Sequence, residues 1–363
     1  MTPSVEAYHT NAGARIYRLP LEPFPDLWGF AHLVFAGDLV VLVDTGSGFG
    51  DSNDQLEAGL AAVRRDHGEK ADWKDLTHVV ITHGHIDHFG GLPYVRQHTS
   101  APVGVHELDL RVLANYEERL TVVAHRLRAF LAEAGVSPTE RETVMSLYLL
   151  NKHLFSSVAV DFTFQDNETT LGPLRLLHVP GHCPGQVVIQ VDDILLSADH
   201  VLKEISPHQS PERLSLNTGL GHYLESLERM LAWVRPVRVT LGGHQGPIED
   251  LAGRVAALRS LHAARLSRVL ELLERPHTIA DVSRDLFPKV KGYHSLLALE
   301  EAGAHVEYLA QRGVLRIENL GDLETETPVP IRYCRLAGSL PPRPGQRTSA
   351  TPAGEGAAGK MRA

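Results

Sequence analysis

The run His83-Gly84-His85-Ile86-Asp87-His88 puts four metal-capable side chains into six residues. Imidazole nitrogens and carboxylate oxygens are donors for divalent transition metals, and a loop leaving a strand can turn close neighbours into one shared space. No core-packing periodicity calls for such a sequence. Three further segments carry a donor at a strand end or in a stiff turn. Val179-Pro180-Gly181-His182-Cys183-Pro184-Gly185 holds a histidine in a loop stiffened by two prolines and two glycines. Ile194-Leu195-Leu196-Ser197-Ala198-Asp199 runs an apolar strand into a carboxylate, and Leu241-Gly242-Gly243-His244 delivers an imidazole in the same way. Such positions, just past strand ends, are where mixed sheets carry their sites. The chemistry expected of this set is metal-assisted hydrolysis.

Strands and helices must present these donors, and the residue pattern supplies both. Ile16-Tyr17 and the stretches 30–35 and 39–43 read as a β-meander with Gly37-Asp38 at a hairpin turn. Leu56, Leu60, Ala61 and Val63 give 51–67 a helical face, followed by a strand at 77–82, a helix at 92–97 and a strand at 102–105. Over 107–155 the spacing turns helical. Leu120, Val123, Ala124, Leu127 and Leu131 share one face and Val144, Leu147, Tyr148, Leu150 and Leu154 another, which reads as an inserted helical hairpin. Strands are expected again at 158–164, 174–178, 186–191, 194–197 and 237–241, with helices at 223–233 and 251–273. Beyond Pro276, a helix at 279–286, a Pro288/Gly292 break, a helix at 293–311 and alternation in Val314, Leu315 and Ile317 follow the winged-helix order. The tail 338–363, rich in Pro, Gly, Ala, Ser and Thr, lacks the apolar content to order itself.

The chain of 363 residues is long enough for one large core and a smaller appendage. Its net charge of -9 argues against a surface built to hold polyphosphate, so a small-molecule substrate is expected ahead of nucleic acid. Two cysteines, Cys183 and Cys334, cannot build a disulfide framework, which fits a reducing compartment. Neither a signal-peptide pattern nor a membrane-spanning apolar run occurs, and the expected location is the cytoplasm. Cys183, beside His182, reads as a small packing residue.

In this order the pieces resemble the metallo-β-lactamase superfamily over Ile16 to about Leu273. The resemblance implies an α/β (α+β) fold, a four-layer αββα sandwich with its metal site along one edge. It further implies that His83, His85 and His182 hold one metal, that Asp87, His88 and His244 hold a second, and that Asp199 bridges them. The set is similar to a glyoxalase II-type site. Asp44, in Val41-Leu42-Val43-Asp44-Thr45-Gly46, matches the family's early aspartate, which braces the histidine loop. Two divalent ions are implied as cofactors, zinc first, with manganese or iron as alternatives. A hydroxide shared by the two is the expected nucleophile, with Asp87 orienting it and shuttling its proton.

A nearer likeness is to members ending in a β-lactamase-associated winged-helix domain. It is carried by Gly292-Tyr293-His294-Ser295-Leu296-Leu297-Ala298-Leu299-Glu300, by His305-Val306-Glu307-Tyr308-Leu309, and by Ser197-Ala198-Asp199-His200-Val201-Leu202 with Ile205-Ser206-Pro207. The expected division is a catalytic domain at 13–273, containing the 107–155 insertion, and a winged-helix domain at 276–335. His200 either faces substrate as a catalytic residue or packs. Lys203 and His208 are placed to meet an anionic substrate if they are not simply solvated.

Three functions compete. The favoured one is hydrolysis of small esters, thioesters of the acyl-CoA or acylglutathione kind, or lactones, with the insertion as an apolar lid or else a homodimer interface. The second is a ribonuclease or other phosphodiesterase, disfavoured because five basic residues face six acidic ones over 276–320. The third is a winged-helix DNA-binding regulator, weakened by Glu300, Glu301 and Glu307 on the would-be recognition helix and by a ligand set that has lost no member.

Overall fold

The computed structural model describes residues 3–150, 152–165, 167–324 and 327–338. The expected disordered tail, beyond Gly338, lies outside the described residues. A first sheet contains β1 (Glu6–His9), β2 (Arg15–Phe24), β3 (Leu27–Ala36), β4 (Leu39–Val43), β5 (His78–Val80), β6 (Val103–His106) and β7 (Phe162–Phe164), in that spatial order. The first four run antiparallel and β4 to β7 run parallel. A second sheet has β8 (Glu168–Leu171), β9 (Leu174–His178), β10 (Val187–Val191) and β11 (Ile194–Ala198) antiparallel, with β12 (Val239–Gly242) parallel to β11. The inner faces of the two sheets meet through Ile16, Val34, Val41, Val43 and Val80 from the first and Leu176, Ile189, Ile194, Leu196 and Leu241 from the second. Each contributor is an alternate residue of its strand, so the pleat itself sorts one set inward.

Helices cover the outer faces. They are α1 (Ser52–His67), α2 (Ile86–Phe89), α3 (Leu92–His98), α4 (Glu107–Ala114), α5 (Tyr116–Glu133), α6 (Pro138–Leu150), α7 (Leu220–Trp233), α8 (Leu251–Leu272), α9 (Ile279–Leu286) and α10 (Tyr293–Gln311). On α1 the buried residues Leu56, Leu60 and Val63 recur at helical spacing, and Gly59 lets the backbone settle on Leu19. Gly68, at φ 69°, ends the helix in the left-handed conformation. A two-stranded sheet, β13 (Leu315–Ile317) with β14 (Tyr333–Arg335), completes the order. This is the four-layer α/β sandwich.

Differences from the sequence pattern have local causes. β1 and β8 are outer strands with half-exposed polar residues, so they lack the apolar run that marks an inner strand. The strand at 158–164 shrinks to β7 because Val158 and Val160 pack against the helical layer instead. The insertion holds three helices and a short 3-10 turn at Lys152–Leu154, not a two-helix hairpin. Asn115, at φ -132° and ψ 47°, separates α4 from α5. The C-terminal helices do not stand apart: Leu296, Leu299, Ala302, Val306 and Leu309 share one core with Phe130, Leu131 and Leu266. Among the described residues no helix is long and apolar enough to cross a membrane.

Candidate metal centre

The donors converge from strand ends. His83 to His88 follow β5 and run into α2, His182 lies in the β9–β10 turn, Asp199 follows β11 and His244 follows β12. Ligating atoms of His83, His85, His182 and Cys183 lie within 4.8 Å of one another, as do those of Asp87, His88 and His244, and those of His83, His88 and Asp199. Asp199 stands between the first two groups. Its Oδ1 is 3.5 Å from His88 Nε2, and its Oδ2 is 3.5 Å from His244 Nε2 and 3.8 Å from His182 Nε2. Asp87 Oδ2 lies 3.2 Å from His244 Nε2.

The imidazoles are oriented from behind. Nδ1 of His182 donates to the His208 carbonyl and Nδ1 of His244 to the Trp28 carbonyl, each at 2.8 Å. Nδ1 of His88 donates to Asp44 Oδ2 at 2.8 Å, and His83 Nδ1 meets Thr82 Oγ1 at 3.1 Å. With Nδ1 engaged, each ring turns its Nε2 inward. Nε2 of His83, His88 and His182 and Oδ1 of Asp199 are buried with no hydrogen-bond partner. Buried polar atoms without partners are costly, and four aimed at one space are what a cation-binding site leaves when only its protein atoms are counted. The residues therefore fit divalent metal.

The electrostatics divide the groups. Burial holds His83, His85 and His182 below their ordinary values, which keeps them neutral and ready as donors. Burial also opposes charge on His88 and His244, yet the carboxylates reverse it. Asp199 and Asp44 hold His88 well above its ordinary value, and Asp199 and Asp87 raise His244 to about 9. Burial would raise Asp87 and Asp199, but His244 and His88 overcome it and keep both ionised. Cys183, its thiol pushed up by burial, sits with the first group as a neutral neighbour.

Besides the expected Asp44, several supporting residues carry no local sequence signal. Asp44, at φ 62°, accepts from Thr82 N and Thr82 Oγ1, each at 2.8 Å, as well as from His88. Ala198 is also left-handed, at φ 45°, beside a register shift in the β11–β12 pairing, and so turns Asp199 out of the strand line. Gln186 is fully buried, and with its amide oxygen facing them it accepts from Asp199 N at 3.0 Å and His200 N at 2.8 Å. Asp109, the third residue of α4, accepts from Gly84 N at 2.9 Å. Burial raises its carboxyl to about 6, opposed by the N–H groups of Gly185 and Gly84. Arg18, 1 % exposed, lies over Phe30 at 3.3 Å from the ring centre and donates to the carbonyls of Gly242 and Gln245, which fixes the His244 loop. Gly243 is required sterically: a Cβ there would lie 2.5 Å from Asp199 Oδ1.

The remaining expected site residues separate. His200 is fully buried, edge-on to Tyr223 at 5.4 Å, and outside every donor group. Lys203 is exposed and lies along Gly246. His208 Nε2 donates to Glu300 Oε2 at 2.8 Å, and its contribution to the centre is the carbonyl that holds His182.

The acidic face of α10 has a use that its sequence did not reveal. Glu301 accepts from Gln209 N and from Arg265, each at 2.8 Å, and Glu307 accepts from Glu212 N at 2.6 Å and Arg213 N at 3.3 Å. The carboxylates clamp the 208–213 segment instead of facing solvent. A further cluster, His262, Glu301 and His305, has its carboxylate committed to these donors, and His305 Nδ1 donates to the Glu301 carbonyl at 2.7 Å. It reads as a structural network. A surface cavity of about 550 Å³ beside Asn11, Asp192 and Arg235 contains none of the ligands.

The αββα layers and the strand-end donors define a metallohydrolase fold, and the chain belongs to the metallo-beta-lactamase superfamily, whose family model matches residues 29–267. A metallo-beta-lactamase family protein from Thermus thermophilus is 26% identical, with a TM-score of 0.68, over 88% of this chain and 98% of its own. A beta-lactamase domain protein from Burkholderia ambifaria is 23% identical, with a TM-score of 0.69, over 91% of this chain and 94% of its own. No functionally curated protein matches.

Proposed function

We propose that the chain is a dinuclear metallohydrolase acting on small esters, thioesters or lactones. The observation that carries the reading is the position of Asp199, whose two oxygens face donors of both groups, His182 on one side and His88 and His244 on the other. In this reading His83, His85 and His182 hold one ion, Asp87, His88 and His244 the other, and Asp199 both. Zinc is the first candidate for donors of this kind, with manganese or iron next. Bound ions would make a water nucleophilic near neutral pH and polarise the scissile carbonyl.

The chain's own groups do the rest. Asp44, the His208 carbonyl and the Trp28 carbonyl fix imidazole orientation, and an ionised Asp87 at the edge of the centre is placed to take and pass a proton. His200, buried against Tyr223, is assigned to packing. The 107–155 insertion walls the site: α4 sets Val112 against Gly84, and Phe155 reaches Gly90 beyond His88. What speaks against the DNA-binding reading is the packing of α10, which turns Glu301 and Glu307 onto the 208–213 segment.

The test is a metal count with a substrate panel. Purified protein should carry two equivalents of divalent metal and hydrolyse acyl thioesters, esters or lactones in preference to bis(p-nitrophenyl) phosphate and single-stranded RNA. Asp199→Ala should lower the metal count and abolish turnover. Turnover of the phosphodiesters alone would replace this reading with the phosphodiesterase one, and full activity in Asp199→Ala would remove the dinuclear arrangement.

A further inference from the structure

The insertion brings two cations towards the metal centre that no carboxylate meets at ion-pair distance among the described residues. Lys152 Nζ lies 4.5 Å from the centre of the Tyr148 ring. Around Lys152, within electrostatic reach, stand Arg119 of α5, Glu300 of α10, Asp87 of the histidine loop and Cys183 of the His182 loop. Glu300 is already engaged by His208 Nε2 at 2.8 Å. Arg119 is in turn within electrostatic reach of Tyr116, Tyr148, Asp109 and Cys183. Tyr293, the first residue of α10 and 41% exposed, is within electrostatic reach of Tyr116, Tyr148 and Asp87.

This placement is built in, since the surrounding parts leave the insertion no freedom to stand elsewhere. A Cβ on Gly90 would meet Phe155 at 2.9 Å, and one on Gly185 would meet Asp109 at 2.8 Å, so both ligand loops are packed directly against it. Tyr116 is 4 % exposed, flanked by Phe89 and Phe155, and its hydroxyl has no hydrogen-bond partner. A buried hydroxyl without a partner is unfavourable, and two half-buried cations within reach of one another repel. The carboxylates within reach are engaged elsewhere, Glu300 with His208, Asp87 with His244 and Asp109 with Gly84 N. A ligand oxyanion satisfies all three groups: guanidinium matches two oxygens in a fork, and ammonium and phenol supply single donors.

We propose that Arg119, Lys152 and the Tyr116 hydroxyl form a subsite for a carboxylate or phosphate on the substrate, so that the enzyme selects anionic esters or thioesters. The proposal rests on the hydrolase reading above and narrows it. Arg119 and Lys152 determine specificity, while the bond is broken at the metal centre.

The experiment compares three thioesters with the same scissile bond, ending in a methyl, a carboxylate or a phosphate group, on the metal-loaded full chain. Wild type should favour one or both charged members over the methyl member by about tenfold or more in kcat/KM, the worth of one charge-assisted contact. Arg119→Gln and Lys152→Gln should collapse that preference mainly through KM, and Arg119→Lys and Lys152→Arg should keep part of it. The better of the two charged members identifies the group. Equal rates on all three members, or glutamine variants that lose charged and neutral substrates alike, would overturn the proposal and leave the thioesterase reading standing. If no thioester turns over, the thioesterase part of the reading fails instead. The subsite is then judged by calorimetric titration of wild type and the double glutamine variant with glutarate and with phenyl phosphate. A tenfold weaker Kd in the variant for either probe supports it, and equal Kd values for both overturn it.

Discussion

Replacing Glu301 by alanine removes a carboxylate that receives Gln209 N and Arg265 Nη1, each at 2.8 Å, from a side chain only 7% exposed. Deleting one partner of a buried ion pair costs about 3–5 kcal/mol because the other charge is left without solvation or partner. Arg265 is 24% exposed and recovers part of its hydration, so the expected loss of stability is about 2–4 kcal/mol. Glu301→Gln keeps an acceptor for Gln209 and removes the charge alone, for about 1–2 kcal/mol. The effect should also reach the metal centre. Gln209 follows His208, whose carbonyl fixes His182 at 2.8 Å, and partners one step behind a ligand are worth about 10–100-fold in metal affinity. Glu301 acts one step further back, so about tenfold is expected. Urea denaturation of the apo chain reads the first quantity, and competition with a chromogenic chelator reads the second. An unchanged urea midpoint in Glu301→Ala would refute the clamp, and lost stability with unchanged metal affinity would confine it to packing.

Asp44→Ala should cut metal affinity by about 10–100-fold, through loss of the His88 and Thr82 hydrogen bonds, read by metal content after dialysis. Gly243→Ala should lose metal while keeping a native circular dichroism spectrum, since its Cβ would crowd Asp199 and His88. Full metal occupancy in that variant would show that the loop yields. Chelation should lower the melting temperature, by the equivalent of about 2.7 kcal/mol when free metal had stood at a hundred times Kd. Lys152 gives a pH test with two opposite signs. Burial, reinforced by Arg119 and opposed by Glu300 and Asp87, lowers it to about 8. Its charge is present below that value, so KM for an anionic substrate should rise as pH climbs through 8. The folded chain disfavours the charged form, so the penalty is full below 8 and fades towards the unfolded value, and stability should gain over the same range. A pH-independent ratio of anionic to neutral KM would remove Lys152 from the subsite.

How much of this was legible depended on whether a residue's task was local. The candidate donors lie in short strand-end segments, so His83 to His88, His182, Asp199 and His244 stood out by type and spacing, while their division between two metals came from the family resemblance. The residues that brace them act across long separations: Asp109 meets Gly84 25 positions away, and Glu301 meets Gln209 92 positions away. A single carboxylate in a helix gives no sign of where it will point. The glutamates of α10 were misleading for the same reason, since their charge looked like a surface property and is used internally. The outer strands β1 and β8 escaped because half-exposed polar residues resemble a loop. Arg119 and Lys152, one on a helix and one in a short turn, showed nothing at all until the insertion was seen to fold over the ligand loops.

The bond between His244 Nδ1 and the Trp28 carbonyl joins positions 216 residues apart, and Arg18 reaches Gly242 across 224. During synthesis, then, the histidine loop emerges long before the residues that complete its surroundings. His83, His85 and His182 can attract a metal while the chain is still incomplete, but a nascent chain has neither His244 nor the glutamates that steady His208. Full metal affinity is therefore expected only of the finished polypeptide. Pulse-labelled nascent chains arrested before and after His244 should differ sharply in metal retention.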